Sequence, residues 1–163
     1  MKKIAIYPGT FDPFTYGHLD LVRRSLRTFD EVIIAVAPSL KKEPLFTIEE
    51  RFAMIENSMR GYKRVRIEAF EGLLVDYVRK KKGIAIIRGL RAVSDFEYEL
   101  QMALMNRRLN QQIETVFLMP SEEYSFLTAT IVKEIASLGG PVKDLVPKPV
   151  EKELMKKFGS CAQ

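Results

Sequence analysis

One histidine, one cysteine and no tryptophan are present in this sequence, and each scarcity removes a class of chemistry. A lone cysteine, Cys161, cannot form an internal disulfide, which fits a reducing compartment. Two residues from the end, it reads as a free thiol on a frayed tail. The same counts leave no cysteine–histidine metal cluster and little basis for a Ser-His-Asp or Cys-His hydrolase, although a Ser-Lys variant stays open. Neither a G-x-x-x-x-G-K-[ST] loop nor a G-x-G-x-x-G fingerprint occurs. Long hydrophobic runs are also missing, none approaching the roughly 18 apolar residues of a membrane span. The opening MKKIAIYPGT sets two lysines before an apolar run. That run is too short for the core of a signal peptide, and Pro, Gly and Asp follow at once, so it reads as a first strand.

At 163 residues the chain fits a single domain, 1–163, with a sizeable core. The net charge of +5 and pI near 9.3 permit nucleic-acid binding without establishing it. The basic residues are scattered among acids, as at Arg23-Arg24, Lys80 to Lys82 and Arg107-Arg108, with no basic stripe interleaved with aromatics. Most read as solvated helix faces and a few as phosphate ligands.

Short runs rich in Val, Ile and Phe at Lys3–Tyr7, Glu31–Ala37, Val65–Ala69, Ile84–Arg88 and Thr115–Leu118 read as strands buried in a parallel sheet. Helical patterns alternate with them. One begins near Thr15 and carries Leu19, Val22, Leu26 and Phe29. Another, Thr47–Met59, opens with the capping-box spacing Thr47 to Glu50. Gly72–Lys82, Ser94–Asn110, Leu127–Leu138 and a C-terminal helix at about 150–158 follow. This alternation predicts a Rossmann-like α/β fold: an open, parallel, five-stranded sheet with helices on both faces.

In such sheets ligands bind beyond the carboxyl ends of the strands. Three stretches fall at such ends: Pro8–His18, Pro38–Pro44 and Arg88–Arg91. The first is the most informative. A strand runs into a Gly-containing turn and a helix start, where free N–H groups and the helix dipole favour an anion. A lone histidine is usually structural, but His18 in that first helical turn is placed to donate to a phosphate oxygen. Arg88 and Arg91, flanking Gly89-Leu90, can grip phosphate with forked geometry. Lys42 reads equally as a phosphate ligand or as half of a solvated pair with Lys41. Asp12 reads equally as a turn former or a site residue. Asp95, Glu97 and Glu99 suit the start of a helix. Phosphate grips without a nucleophile suit a transfer in which the protein positions two charged substrates and stabilises the transition state.

The segment G-T-F-D-P-F-T-Y-G-H resembles the T/H-x-G-H signature of the nucleotidyltransferase α/β-phosphodiesterase superfamily, here Thr15-Tyr16-Gly17-His18. With Y-P-G-T-F-D-P at 7–13, Thr47–Arg51, I-R-G-L-R-A-V-S-D-F-E-Y-E at 87–99, V-F-L-M-P-S at 116–121 and Y-S-F-L-T-A-T-I-V-K-E at 124–134, the chain is similar to the bacterial phosphopantetheine adenylyltransferases over about its first 150 residues. The resemblance implies transfer of the adenylyl group of ATP to 4′-phosphopantetheine, giving dephospho-coenzyme A and pyrophosphate with Mg²⁺. It implies Thr10 and His18 at the reacting phosphates and His18, Lys42 and Arg91 as the catalytic set. Lys42 and Arg88 would hold the acceptor phosphate, with Leu74 in the pantetheine pocket. Phe11, Gly89, Leu90, Arg91, Glu99, Tyr124, Ser125, Phe126, Leu127, Thr128, Ala129 and Thr130 would surround ATP. A cytoplasmic homohexamer, feedback inhibition by coenzyme A, and no nucleic-acid or membrane partner complete the expectation.

One departure stands out. The family's S-F-[IL]-S-S-S reads Ser125-Phe126-Leu127-Thr128-Ala129-Thr130 here, with the middle hydroxyl gone. The nearest rival is a nucleotidyltransferase acting on nicotinamide mononucleotide or a phospho-alcohol, disfavoured by the 87–99 motif. A non-catalytic nucleotide-binding regulator is disfavoured by His18, Lys42 and Arg88 together. An RNA-binding module would need a stacking platform, and none is recognisable.

Overall fold

The computed structural model describes residues 1–39, 43–91 and 93–159, with the backbone alone at 93–95. Strands β1 (Ile4–Gly9), β2 (Glu31–Val36), β3 (Val65–Ala69), β4 (Ala85–Gly89) and β5 (Glu114–Leu118) form one parallel sheet in the order β3-β2-β1-β4-β5. Chain order reverses between β1 and β4, so the crevice expected of such sheets opens there.

The strand sequences explain the layering. Alternate side chains point to opposite faces of a sheet. Ala5, Tyr7, Val32, Ile34, Val36, Ala85 and Ile87 join the larger apolar cluster. Ile6, Ile33, Ala35 and Ile86, one step out of phase, join the smaller one. Both faces of the central strands are therefore apolar, as parallel sheets require. Helices α1 (Tyr16–Ser25), α2 (Ile48–Ser58), α5 (Ala129–Ser137) and α6 (Lys148–Phe158) bury residues in the larger cluster. Helix α3 (Leu74–Lys80) covers the smaller one through Val75 and Val78. Helix α4 (Val93–Leu109) is the longest, at 17 residues. It packs against β5 and α3 and leaves Phe96, Tyr98, Leu104, Met105 and Leu109 exposed. Among the described residues no helix is long and apolar enough to cross a membrane.

The expected elements are present, with shifts of about two residues at several ends. Strand β1 runs on through Pro8 and Gly9, which pair in register with Ala35 and Val36. Helix α1 stops at Ser25, short of the periodic Leu26 and Phe29. The Ser25 hydroxyl donates to the Leu21 carbonyl at 2.7 Å, and the N–H groups of Thr28 and Phe29 both turn back to the Ser25 carbonyl. Phe29 still reaches the core, through this turn. Helix α5 starts at Ala129 because Thr128 is its cap: its side chain accepts from Ile131 N–H at 3.1 Å. Helix α6 starts at Lys148, with Pro149 in the first turn, where a missing N–H costs nothing. The cysteine reading falls on Cys161, outside the described residues.

Candidate active site

A cleft of about 580 Å³ opens at the carboxyl ends of β1 and β4. Its walls come from segments far apart in the chain: Tyr7 to Asp12, Thr15 with Gly17 and His18, Ser39 with Glu43 and Pro44, Arg88 and Gly89 with Arg91, and Tyr124 with Leu127 to Thr130. The three strand ends picked out in the sequence thus meet in one place.

The loop after β1 is tightly folded. Phe11 has φ of 51°, and its ring turns back over Gly9, where a Cβ would lie 2.9 Å from the ring. Only glycine leaves room for that reversal. Thr15 then caps α1. Its side chain accepts from the His18 N–H at 3.3 Å, while its own N–H donates to His18 Nδ1 at 2.9 Å. This is a capping box whose third-position acceptor is an imidazole rather than the usual Glu or Gln.

The box has a chemical consequence. An Nδ1 that accepts a backbone N–H carries no proton, so the neutral ring holds its proton on Nε2. The ring is stacked on Phe14 at 5.6 Å and met edge-on by Phe11 at 5.0 Å. Burial, with the positive charges of Arg91 and Arg88 added, pushes the His18 pKa down to about 3. His18 is therefore a fixed, neutral Nε2–H donor lining the cleft.

The opposite wall is charged. Arg88 Nε donates to Glu99 Oε2 at 2.7 Å, and its Nη2 also bonds to Glu99. Arg88 Nη1 donates to the Pro8 carbonyl at 3.2 Å, tying β4 to β1. Glu99, on α4, is buried and holds the guanidinium at the cleft wall. Arg91 lines the cleft beyond it.

Several residues brace these walls through contacts that a reading of the sequence does not give. Arg51, only 2% exposed, donates to the carbonyls of Thr10 at 2.6 Å and Ala37 at 2.8 Å. It stitches the loop after β1 to the end of β2. Its partners are carbonyls, which carry no sequence signal; only its place one turn after the Thr47 cap was visible. Asp12 proves to be a brace: it accepts from the N–H groups of Leu45 at 2.9 Å and Phe46 at 3.0 Å, and from Lys133 Nζ at 2.9 Å. Asp20 holds Ser121 through both its N–H and its hydroxyl, fixing the turn after β5 to α1.

At the start of α5 the Thr128 side chain is spent on the cap, while Thr128, Ala129 and Thr130 line the cleft. The first N–H groups of that helix have no intrahelical partners. Thr10, Phe11, His18, Arg88, Gly89, Arg91, Glu99, Tyr124 and Leu127 line the cleft too. Others of the expected set do not. Leu90 donates its N–H to Leu118, the Ser125 hydroxyl donates to the Glu122 carbonyl, and Phe126 is 86% exposed. Leu74 packs on the smaller cluster at the start of α3. Lys42 lies outside the described residues. Among the described residues no three of His, Cys, Asp and Glu gather as metal ligands, and the carboxylates of Asp12 and Glu99 are already occupied by cations.

Comparison with known proteins agrees with this geometry. Residues 6–135 match the cytidylyltransferase-like family. Phosphopantetheine adenylyltransferase of Thermodesulfovibrio yellowstonii is 59% identical over 97% of this chain and 99% of its own length. That of Syntrophus aciditrophicus is 53% identical over 97% and 96%. Among solved structures, a bifunctional NMN adenylyltransferase/ADP ribose pyrophosphatase from Francisella tularensis superposes with a TM-score of 0.70 at 20% identity, over 96% of this chain and 49% of that one. A nicotinate-nucleotide adenylyltransferase described from Vibrio parahaemolyticus superposes with a TM-score of 0.69 at 19% identity, over 98% and 94%. At that identity the structural likeness speaks for the fold alone. The cleft geometry and the near full-length identity lead to one conclusion: this chain belongs to the cytidylyltransferase-like nucleotidyltransferases and, within them, to the phosphopantetheine adenylyltransferase family.

Proposed function

We propose that the cleft transfers the adenylyl group of ATP to the phosphate of 4′-phosphopantetheine. A phosphate oxygen of the acceptor attacks the α-phosphorus of ATP, the bond to the bridging oxygen breaks, and pyrophosphate leaves, giving dephospho-coenzyme A. The observation that carries this reading is the His18 imidazole, locked as an Nε2–H donor by the Thr15 cap. A neutral donor held in place stabilises charge growing on a non-bridging oxygen without having to reorganise. It also takes no part in proton transfer, which the already ionised acceptor phosphate does not need.

Thr10, Lys42 and Arg88 take the acceptor phosphate in this reading, with Leu74 beside the pantetheine arm. Arg91 and Lys42 complete the catalytic set around the reacting phosphates. Phe11, Gly89, Glu99, Tyr124 and Leu127 to Thr130, which line the cleft, take the nucleotide, the free N–H groups at the start of α5 meeting its phosphates. Mg²⁺ would enter on the phosphates of ATP, as this ion commonly does, since the carboxylates of Asp12 and Glu99 are taken by Lys133 and Arg88 and the described residues hold no cluster of three ligands. The exposed apolar surface of α4 supports self-association, here to a homohexamer. Cytoplasmic residence and feedback inhibition by coenzyme A belong to the same reading.

The test is pyrophosphate release from ATP with a panel of phosphorylated acceptors. 4′-Phosphopantetheine should be turned over efficiently and nicotinamide mononucleotide poorly. Comparable turnover of both would sink the assignment.

A further inference from the structure

Tyr7 is a buried polar residue in the cleft wall that the reading above leaves unused. It lies on β1 opposite Ile34, two residues before Gly9, and is 5% exposed. The Phe11 ring meets it edge-on at 5.2 Å, and the His18 ring centre lies 6.4 Å away. Buried tyrosines almost always spend their hydroxyl on a partner. No hydrogen bond involves the Tyr7 hydroxyl among the described residues, although no solvent-sealed side-chain polar atom among them lacks a partner. The hydroxyl therefore faces the cleft, which Tyr7 lines beside His18 and Arg88. If the ring served packing alone, phenylalanine would fill the same space without stranding a polar atom.

We propose that the Tyr7 hydroxyl is a substrate-binding donor, directed at a phosphate oxygen of a ligand bound between His18 and Arg88. The charges around it agree. Burial raises the phenol well above its ordinary range, against the pull of Arg88 and Arg91, so the group keeps its proton and can only donate to an anion. The position also agrees: Tyr7 shares a sheet face with the residues that pack on α1, while the Arg88 guanidinium reaches over the β1 carbonyl at Pro8. A phosphate between the two walls would find the neutral donors of Tyr7 and His18 on one side and a guanidinium on the other. The inference rests on the adenylyl-transfer reading for the identity of its ligands. The phosphate is either the nucleotide's or the acceptor's.

The experiment is calorimetric titration of wild type and Tyr7→Phe with ATP, adenosine, 4′-phosphopantetheine and pantetheine, the weak ligands being read by competition. The substitution keeps the ring, and an unchanged thermal midpoint verifies the fold. One or both phosphorylated ligands should bind about 10- to 100-fold more weakly, as for a lost hydrogen bond to a charged group, with the unphosphorylated counterparts within about twofold. A loss for ATP assigns the hydroxyl to the nucleotide phosphates, and a loss for 4′-phosphopantetheine assigns it to the acceptor phosphate. No loss for either, or equal loss for phosphorylated and unphosphorylated partners, overturns the inference. Wild-type turnover with the acceptor panel tests the underlying reading separately, so the two can fail independently.

Discussion

The two walls of the cleft are built from the same parts, a central strand, a turn and a helix, yet they meet substrate in different ways. On the β1 side the helix is short and finished within the chain: Leu19, Leu21 and Val22 of α1 are buried, and its cap fixes an uncharged imidazole among aromatic rings. On the β4 side the helix is long and mixes polar with apolar residues, leaving Phe96, Leu104 and Leu109 about half exposed. Its buried carboxylate, Glu99, fixes a guanidinium. A dry, neutral donor loses little by desolvation and keeps its aim when charge develops. A guanidinium steers a phosphate strongly but needs a counter-charge to sit in a partly buried place. In the proposed reaction, the neutral donor to transition-state charge sits on the β1 wall, and the guanidinium groups that hold phosphate sit on the β4 wall.

Removing the donor should have the largest effect. His18→Ala is expected to lower kcat about 100- to 1000-fold while leaving ATP affinity close to wild type. Retention of near-full kcat would return His18 to a purely capping role and dissolve the contrast between the walls. The pH dependence follows from the same ring. Its pKa in the folded chain, about 3, lies below its ordinary 6.5, so on acidification the unfolded chain takes up the proton first. Stability should therefore fall as pH drops from 6.5 toward 3. Thermal midpoints measured between pH 7 and 5 should fall further for wild type than for His18→Gln. His18 itself should add no titration near 6.5 to the kcat profile, so His18→Gln should leave the shape of that profile unchanged.

The β1 wall also divides what the sequence makes legible from what it hides. The turn, the helix start and His18 could all be read from local spacing, because a cap and a Gly-containing turn are short-range devices. The second role of His18, accepting the Thr15 N–H, was hidden because the capping-box pattern is read for Glu or Gln. Thr47 and Glu50, which follow the usual pattern, were recognised. The Arg51 bonds to the carbonyls of Thr10 and Ala37 were hidden for a different reason: they span 41 and 14 residues and end on backbone atoms. The strands were found to within two residues because their Val and Ile runs are buried on both faces. The end of α1 is not legible because Leu26 and Phe29 keep the helical period while the backbone has already turned.

Breaking the clamp on the β4 wall should cost less. Glu99→Gln keeps a hydrogen-bonding group and removes the charge that opposes Arg88. With the Arg88 side chain one-third exposed, solvent screens part of the loss, and about a tenfold rise in acceptor KM is expected, between the values for exposed and fully buried pairs. kcat should change little. A rise confined to the ATP KM would show that Glu99 acts on the nucleotide alone and that its clamp on Arg88 does not serve the acceptor.

The smallest effect is expected at the start of α5. Thr128 has its side chain committed to Ile131 N–H, so phosphate recognition there falls to the first N–H groups of the helix, which act without a side chain. Ala129 lines the cleft at the first helical position. A hydroxyl restored there adds one donor to a site that already works. Ala129→Ser should tighten ATP binding by about 0.5–1.5 kcal/mol if one net hydrogen bond is gained and leave the acceptor KM unchanged, since acceptor contacts lie on other loops. Both KM values, measured in wild type and variant, decide it. An effect on the acceptor alone would move the nucleotide phosphates away from α5 and withdraw the placement of the nucleotide there.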